Sequence, residues 1–260
     1  MENSIGIFDS GVGGLSVWRE IKKLIPKSSL IYFSDSAHVP YGEKRPKQLM
    51  ELSKQICKFL LGKNAKIIVI ACNTATAYCI QKLRNEFDLP FVGTVPPVKP
   101  AAAASKTGKI AIMATPATIK SHYLSNLISN FANGVKILKI PAYGLEDQVE
   151  EGKINRKKTV FLLTKYLKPA VSAEVDGLAL GCTHYPFLLP QIKKITKNKL
   201  KIFDPAPAVA AQVKRVLIKN GLFPNFGEVD LFYTTGDPKQ FSLLASKLLK
   251  RKITAEKIEI

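Results

Sequence analysis

Ile67-Ile68-Val69-Ile70-Ala71-Cys72-Asn73-Thr74-Ala75 and Gly177-Leu178-Ala179-Leu180-Gly181-Cys182-Thr183-His184-Tyr185 are two versions of one pattern. In each, a short apolar run ends in a cysteine, and small polar residues that can open a helix follow. A run of this length and composition reads as a strand buried on both faces, as in a parallel sheet. The pattern is therefore strand, cysteine at the strand exit, helix start. A thiol in that position meets unpaired backbone N–H groups and the positive end of a helix dipole, both of which favour the thiolate. Its use twice in one chain predicts two lobes that each bring one sulfur to a shared cleft.

Working outward, Ile5–Phe8 is a strand that runs into Asp9-Ser10-Gly11-Val12-Gly13-Gly14, and Leu15–Ile21 is a helix stopped by Pro26. The glycines allow a ligand to approach backbone at a helix N-terminus. They carry neither the Gly-Lys-Ser/Thr ending of a P-loop nor G-x-G-x-x-G spacing. The acidic Asp9 at the strand exit points to proton or ammonium chemistry rather than to phosphate. Leu30–Phe33 is the next strand, and it leads into a polar loop, Ser34–Gly42. Helix Leu49–Leu61, strand Lys66–Ala71 and a short strand within Phe87–Val95 continue an alternation that predicts a parallel sheet covered by helices.

Two proline-rich passages, Thr94–Ala101 and Phe203–Ala210, mark crossings between lobes. Between them Lys109–Ala114, Val135–Ile140 and Val175–Leu180 read as strands, with helices after each. Beyond the second crossing come helix Ala208–Lys219, strand Val229–Tyr233 and helix Phe241–Leu249. The expected fold is α/β, with two pseudo-symmetric lobes, each a mostly parallel sheet flanked by helices. Residues 1–95 plus 207–260 form the first lobe, with Asp9 and Cys72. Residues 96–206 form the second, with Cys182 and His184. Ligands in such folds bind outside the carboxyl ends of the strands, where these residues fall.

The 260 residues, 46% hydrophobic and 23% charged, describe an ordinary globular chain. No apolar run approaches the roughly 18–20 residues of a membrane span. Met1-Glu2-Asn3-Ser4 has no basic or apolar leader character, so a cytoplasmic protein without membrane association is expected. The four cysteines form no C-x-x-C pair and no zinc spacing. Cys57 and Cys79 lie in helical patterns and read as core, and Asp35 and His38 read as loop-stabilising. A formal net charge of +19 arises from lysines spread along the whole chain. With no recognition motif, that charge predicts nonspecific binding at low salt and no specific nucleic-acid partner.

Inverting a carbon centre by moving a proton needs a base on one face and an acid on the other. Two cysteines, one thiolate and one thiol, do this in either direction by exchanging roles, because their reference pKa of about 8.5 lies near neutrality. Asp9 is placed to serve one thiol and His184 the other, and helix N-termini at Asn73-Thr74 and Thr183 supply donors for the developing anion. A thiol hydrolase with a single nucleophile, and a basic nucleic-acid-binding protein with incidental thiols, are the alternatives that the residues leave open.

Taken in order, Asp9–Gly14, Pro40-Tyr41-Gly42, Ala71–Ala75, Gly181–Pro186 and Tyr233-Thr234-Thr235-Gly236-Asp237-Pro238 resemble the glutamate racemases of the aspartate/glutamate racemase superfamily over nearly the full length. The resemblance implies cofactor-independent interconversion of L- and D-glutamate, supplying D-glutamate for peptidoglycan. It implies two opposed cysteine bases, Cys72 and Cys182, and no metal. Glutamate is favoured over aspartate or another amino acid because His184-Tyr185 follows Cys182-Thr183. Substrate-binding residues carried over are Asp9, Ser10, Tyr41, Gly42, Asn73, Thr74, Thr118, Thr183 and His184. A carboxylate assisting the second cysteine is expected in Val149-Glu150-Glu151-Gly152, with Glu151 chosen over Glu150. Pro141–Asp147 departs from the Cys-Pro text usual there. A homodimer is also implied.

Overall fold

The apolar runs are strands, and every strand pairs in parallel with its neighbours. The computed structural model describes residues 3–222 and 229–260, so Met1 and Glu2 of the N-terminal reading lie outside the described residues. The chain divides into two compact units, Met1–Thr94 with Ala206–Ile260, and Val95–Pro205.

The first unit opens with β1 (Ser4–Asp9), α1 (Leu15–Leu24), β2 (Leu30–Ser34), α2 (Pro46–Gly62), β3 (Ala65–Ile70), α3 (Asn73–Glu86) and β4 (Phe91–Gly93). The second unit follows with α4 (Val98–Ala104), β5 (Lys109–Ala114), α5 (Pro116–Lys120), α6 (His122–Phe131), β6 (Lys136–Pro141), α7 (Leu145–Glu150), α8 (Lys157–Ser172), β7 (Gly177–Gly181), α9 (Leu189–Ile195) and β8 (Lys201–Phe203). The chain then returns to the first unit for α10 (Ala206–Lys219), β9 (Leu231–Thr234), α11 (Pro238–Leu249) and β10 (Glu256–Lys257). The first sheet has the order β10-β9-β2-β1-β3-β4 and the second β6-β5-β7-β8.

Burial explains why these runs become strands rather than helices. Ile7, Phe8, Ile67, Ile68, Val69 and Ile70 are fully buried, as a sheet covered on both faces requires. Each such side chain contributes about 1.5–3 kcal/mol relative to exposure. In the second unit Val98, Ala101, Ile110, Ile112, Leu124 and Ala179 form the matching core between sheet and helices. Register then fixes what emerges at the carboxyl edges. Phe8 pairs with Ile70 and Asp9 with Ser34, so Asp9 leaves the first sheet beside the Ala71-Cys72 exit. Ala114 pairs with Gly181, so Cys182 leaves the second sheet beside Thr115.

Several boundaries differ from the sequence reading for local reasons. Helix α2 begins three residues earlier than Leu49, because Pro46 suits the first helical position and the Gln48 side chain accepts the Arg45 N–H at 3.1 Å. Strands β8 and β10 have three and two residues, too short to carry a periodic signal. The strand expected at Val229–Tyr233 is Leu231–Thr234. Cys182 is followed by a 3-10 turn, Tyr185–Leu188, before α9 starts. Pro190 lacks the N–H that would extend α9 back over Pro186, so the tighter turn takes its place.

Candidate active site

Cys72 is the N-cap of the 14-residue helix α3, with extended backbone (φ −66°, ψ 121°). Its carbonyl accepts the Thr76 N–H at 2.9 Å, which closes the first helical turn. The residue is 6% exposed and sits where the helix dipole is positive. Asn73 follows at 3% exposure, and neither its amide oxygen nor its amide nitrogen has a hydrogen-bond partner among the described residues. A buried amide with both functions unspent costs about 1–3 kcal/mol per group unless a ligand completes it. Asp9 is fully buried, and its Oδ1 accepts the Gly11 N–H at 3.0 Å. Gly14 makes that packing possible: a Cβ there would lie 2.6 Å from Asp9 Cβ, 2.8 Å from the Tyr32 hydroxyl and 2.9 Å from Ala71 Cβ. The glycine-rich turn thus serves the approach of the protein's own side chains.

The loop after β2 is organised on Asp35, which is fully buried. Its carboxylate accepts the Tyr41 hydroxyl at 2.5 Å and the Thr235 hydroxyl at 2.8 Å, and lies 2.7 Å from His38 Nδ1. Burial first, and then the Asp35 charge, hold the Tyr41 phenol well above its usual range, with Cys72 and Asp9 adding to the effect. Tyr41 therefore stays a neutral donor within electrostatic reach of both.

In the second unit, Cys182 follows a fully buried strand and is itself 6% exposed. A Cβ on Gly181 would lie 2.6 Å from Ala114 Cβ, so the strand exit tolerates only glycine before the thiol. The Tyr185 N–H donates to the Cys182 carbonyl at 3.2 Å, which curls the chain so that His184 turns back. His184 Nδ1 lies 3.5 Å from Cys182 Sγ and Nε2 lies 2.6 Å from Glu150 Oε1. Burial alone would lower the imidazole pKa; the ionised Cys182 and then Glu150 carry it well above its ordinary value. As imidazolium it donates on both sides. Burial pushes the Cys182 thiol up, and His184 works against that rise. The arrangement is a buried thiol whose raised proton affinity is opposed by a neighbouring histidine, which suits general acid–base work.

These features have a known setting. Residues 5–213 match the Asp/Glu/hydantoin racemase family. The chain belongs to that family. It is 41% identical to a glutamate racemase of Roseiflexus sp. over 248 residues, which is 94% of this chain and 91% of that protein. A glutamate racemase structure from Bacillus anthracis superposes with a TM-score of 0.91 at 29% identity, covering 99% of this chain and 98% of the other. An Escherichia coli glutamate racemase, solved with L-glutamate and the activator UDP-MurNAc-Ala, superposes with a TM-score of 0.90 at 28% identity over 99% and 98% of the two chains.

Within this racemase, Asp9, Ser10, Tyr41, Asn73 and Thr74 are buried at the carboxyl edge of the first sheet and Gly42 is half-buried. Thr118, Thr183 and His184 are buried at the edge of the second. The Thr115 hydroxyl donates to the Thr118 hydroxyl at 3.0 Å and caps α5. Glu151 differs from its expected place. Its side chain is half exposed and pairs with Lys153 at 2.7 Å, whereas Glu150 reaches His184. Glu150 is on the inward face of α7 and Glu151 lies about 100° further round. The spacing Glu146…Glu150, one helical turn, was the signal that picks the inward carboxylate. Cys57 and Cys79 are fully buried, and burial raises both thiols. Among the described residues no group of three or more His, Cys, Asp or Glu is placed to hold a metal ion, and no helix is long and apolar enough to cross a membrane.

Proposed function

We propose that this chain is a glutamate racemase that works with two thiols and no cofactor. The observation that carries the reading is the repeated strand-exit cysteine, the first beside the exit of buried Asp9 and the second 3.5 Å from buried His184, in a chain 41% identical over 94% of its length to a glutamate racemase. One thiolate takes the Cα proton, so a C–H bond breaks and an S–H bond forms. The other thiol gives its proton to the opposite face of the same carbon, so an S–H bond breaks and a C–H bond forms. The reverse reaction exchanges the roles of Cys72 and Cys182. Asp9 and the helix dipole of α3 tune the first thiol, and His184 with Glu150 tunes the second. The unspent amide of Asn73, with Ser10, Tyr41, Gly42, Thr74, Thr118 and Thr183, holds the substrate. Backbone N–H groups at the start of α3 stabilise the carbanion.

D-glutamate for peptidoglycan, a cytoplasmic site of action and a homodimer belong to the same reading. Sedimentation tests the last, and a species of twice 28.6 kDa is expected. The reaction itself is tested by incubating L-glutamate, D-glutamate and D-aspartate separately, with no cofactor added, and following optical rotation. Both glutamate enantiomers should converge on the racemate while aspartate keeps its rotation. Unchanged glutamate, or preferred turnover of aspartate, would overturn the assignment.

A further inference from the structure

Helix α8 shows solvent a face of a single charge sign. Thr159, Leu163, Leu167 and Ala170 turn into the core of the second unit, which fixes the opposite side as its outer surface. At about 100° per residue, Lys157, Lys158, Lys165 and Lys168 fall within about 60° of Phe161 on that outer side. All four lysines are exposed, and Phe161 in their midst is 67% exposed. The helix carries no acidic residue, and among the described residues none of the four lysines is ion-paired. Helix α9 packs against α8 and adds exposed Lys193 and Lys194. From Gly152 to Phe203 the chain has eleven Lys and Arg against only Glu174 and Asp176. Asp176 is already engaged, accepting the Ser105 hydroxyl at 2.7 Å and the Thr107 N–H at 2.8 Å.

Lysines alone would be an ordinary solvated face, but an aromatic ring set among them gains nothing from water. We propose that the outer face of α8 docks reversibly on an anionic lipid surface, with the lysines at the headgroup phosphates and Phe161 entering the boundary between headgroups and acyl chains. Such a surface offers both things this face lacks, negative charge and a place to bury a ring. Val160 and Val171, also exposed, extend the apolar contact along one flank. A nucleic acid fits less well. The face presents Lys, Phe161, Thr164 and Ser172 on a convex ridge, without the Arg, Asn or Gln that read base edges and without a groove to track a strand. A second copy across a two-fold axis would set these lysines against their own symmetry mates. Among the described residues no helix is long and apolar enough to cross a bilayer, so the attachment is to its surface. It departs from the sequence expectation of no membrane association in that respect alone.

The test is co-sedimentation of the full chain with vesicles of phosphatidylcholine, and of phosphatidylcholine with about one-third phosphatidylglycerol, at low and at about 0.15 M salt. Only the anionic vesicles should carry the protein down, less of it as salt rises. Lys157→Gln, Lys158→Gln, Lys165→Gln and Lys168→Gln combined should weaken binding about 100-fold or more, since each lysine near such a surface is worth about fivefold. Phe161→Ser should weaken it about tenfold and leave the salt dependence unchanged. Lys239→Gln, Lys247→Gln, Lys250→Gln and Lys252→Gln combined remove the same charge from exposed positions of the first unit and should bind like the unsubstituted protein. All the substituted side chains are exposed, and matching thermal melts show that the variants fold. Equal loss in the two lysine variants would assign binding to net charge and overturn the proposal. Binding to neither vesicle or equally to both, or to single-stranded or duplex DNA in place of anionic vesicles, would overturn it as well.

Discussion

Cys72 and Cys182 occupy the same place in two parallel sheets, yet their surroundings share almost nothing. Cys72 begins a helix of 14 residues and closes its first turn with an i to i+4 bond. Cys182 begins a 3-10 turn closed by an i to i+3 bond, with α9 starting only at Leu189. The first thiol has a long helix dipole behind it. The second has a short turn, and the charged pair His184 and Glu150 stands in for the dipole. The same fold position thus faces a long helix in one half of the molecule and a short turn with a buried His–Glu pair in the other.

The comparison is broken most severely by removing either sulfur. Cys72→Ala and Cys182→Ala should each lower racemisation at least about 10²–10⁴-fold in both directions, as loss of a general acid–base group does. Each should still eliminate a leaving group from one enantiomer of a substrate analogue, and the two variants should choose opposite enantiomers. If either single variant racemises glutamate at the wild-type rate, the paired-base account fails.

A smaller effect separates the two surroundings. Glu150→Gln removes one of the two charges that, with Cys182, raise the His184 pKa, so the imidazole loses its proton at lower pH and Cys182 ionises at higher pH. The pH–rate profile should shift upward on the limb that reports Cys182, with kcat down about 10-fold or more. A matched profile in the two proteins would mean that His184 does not set the second thiol. Asp35→Ala acts only in the first unit. It releases Tyr41, Thr235 and His38 together, and should cost about 1–3 kcal/mol of stability and raise KM more than it lowers kcat. Thermal melts and initial rates check both halves of that statement. The smallest effect is expected for Glu151→Gln, whose half-exposed partner is Lys153; rates and melting temperature should match the unsubstituted protein.

Much of this was legible in the residues, and the gaps have physical causes. The strands showed because buried parallel strands are continuous apolar runs, and Ile67–Ile70 is one. Both chain crossings carry proline-rich text, and helices α4 and α10 start within it, with Pro100 and Pro207 in their first turns where proline is tolerated. The two cysteines stood out because a thiol followed by Asn-Thr or Thr-His after such a run has few structural explanations. The edge strands β8 and β10 did not show, because a few residues hold no period. That Glu150 rather than Glu151 reaches His184 was not legible, because adjacency in sequence says nothing about helical face, whereas the i to i+4 relation with Glu146 does. Asp35 as the hub of the Tyr41 loop joins residues from opposite ends of the chain, Tyr41 and Thr235, and local pattern does not hold that information.

Racemisation of L-glutamate in heavy water, stopped before a tenth of the substrate has turned over, addresses the central claim without any variant. Two bases, each exchanging with solvent on its own side, should give D-glutamate carrying deuterium at Cα while the remaining L-glutamate stays unlabelled. D-glutamate that keeps the substrate's own hydrogen, or label appearing equally in both enantiomers from the start, would mean that one group serves both faces.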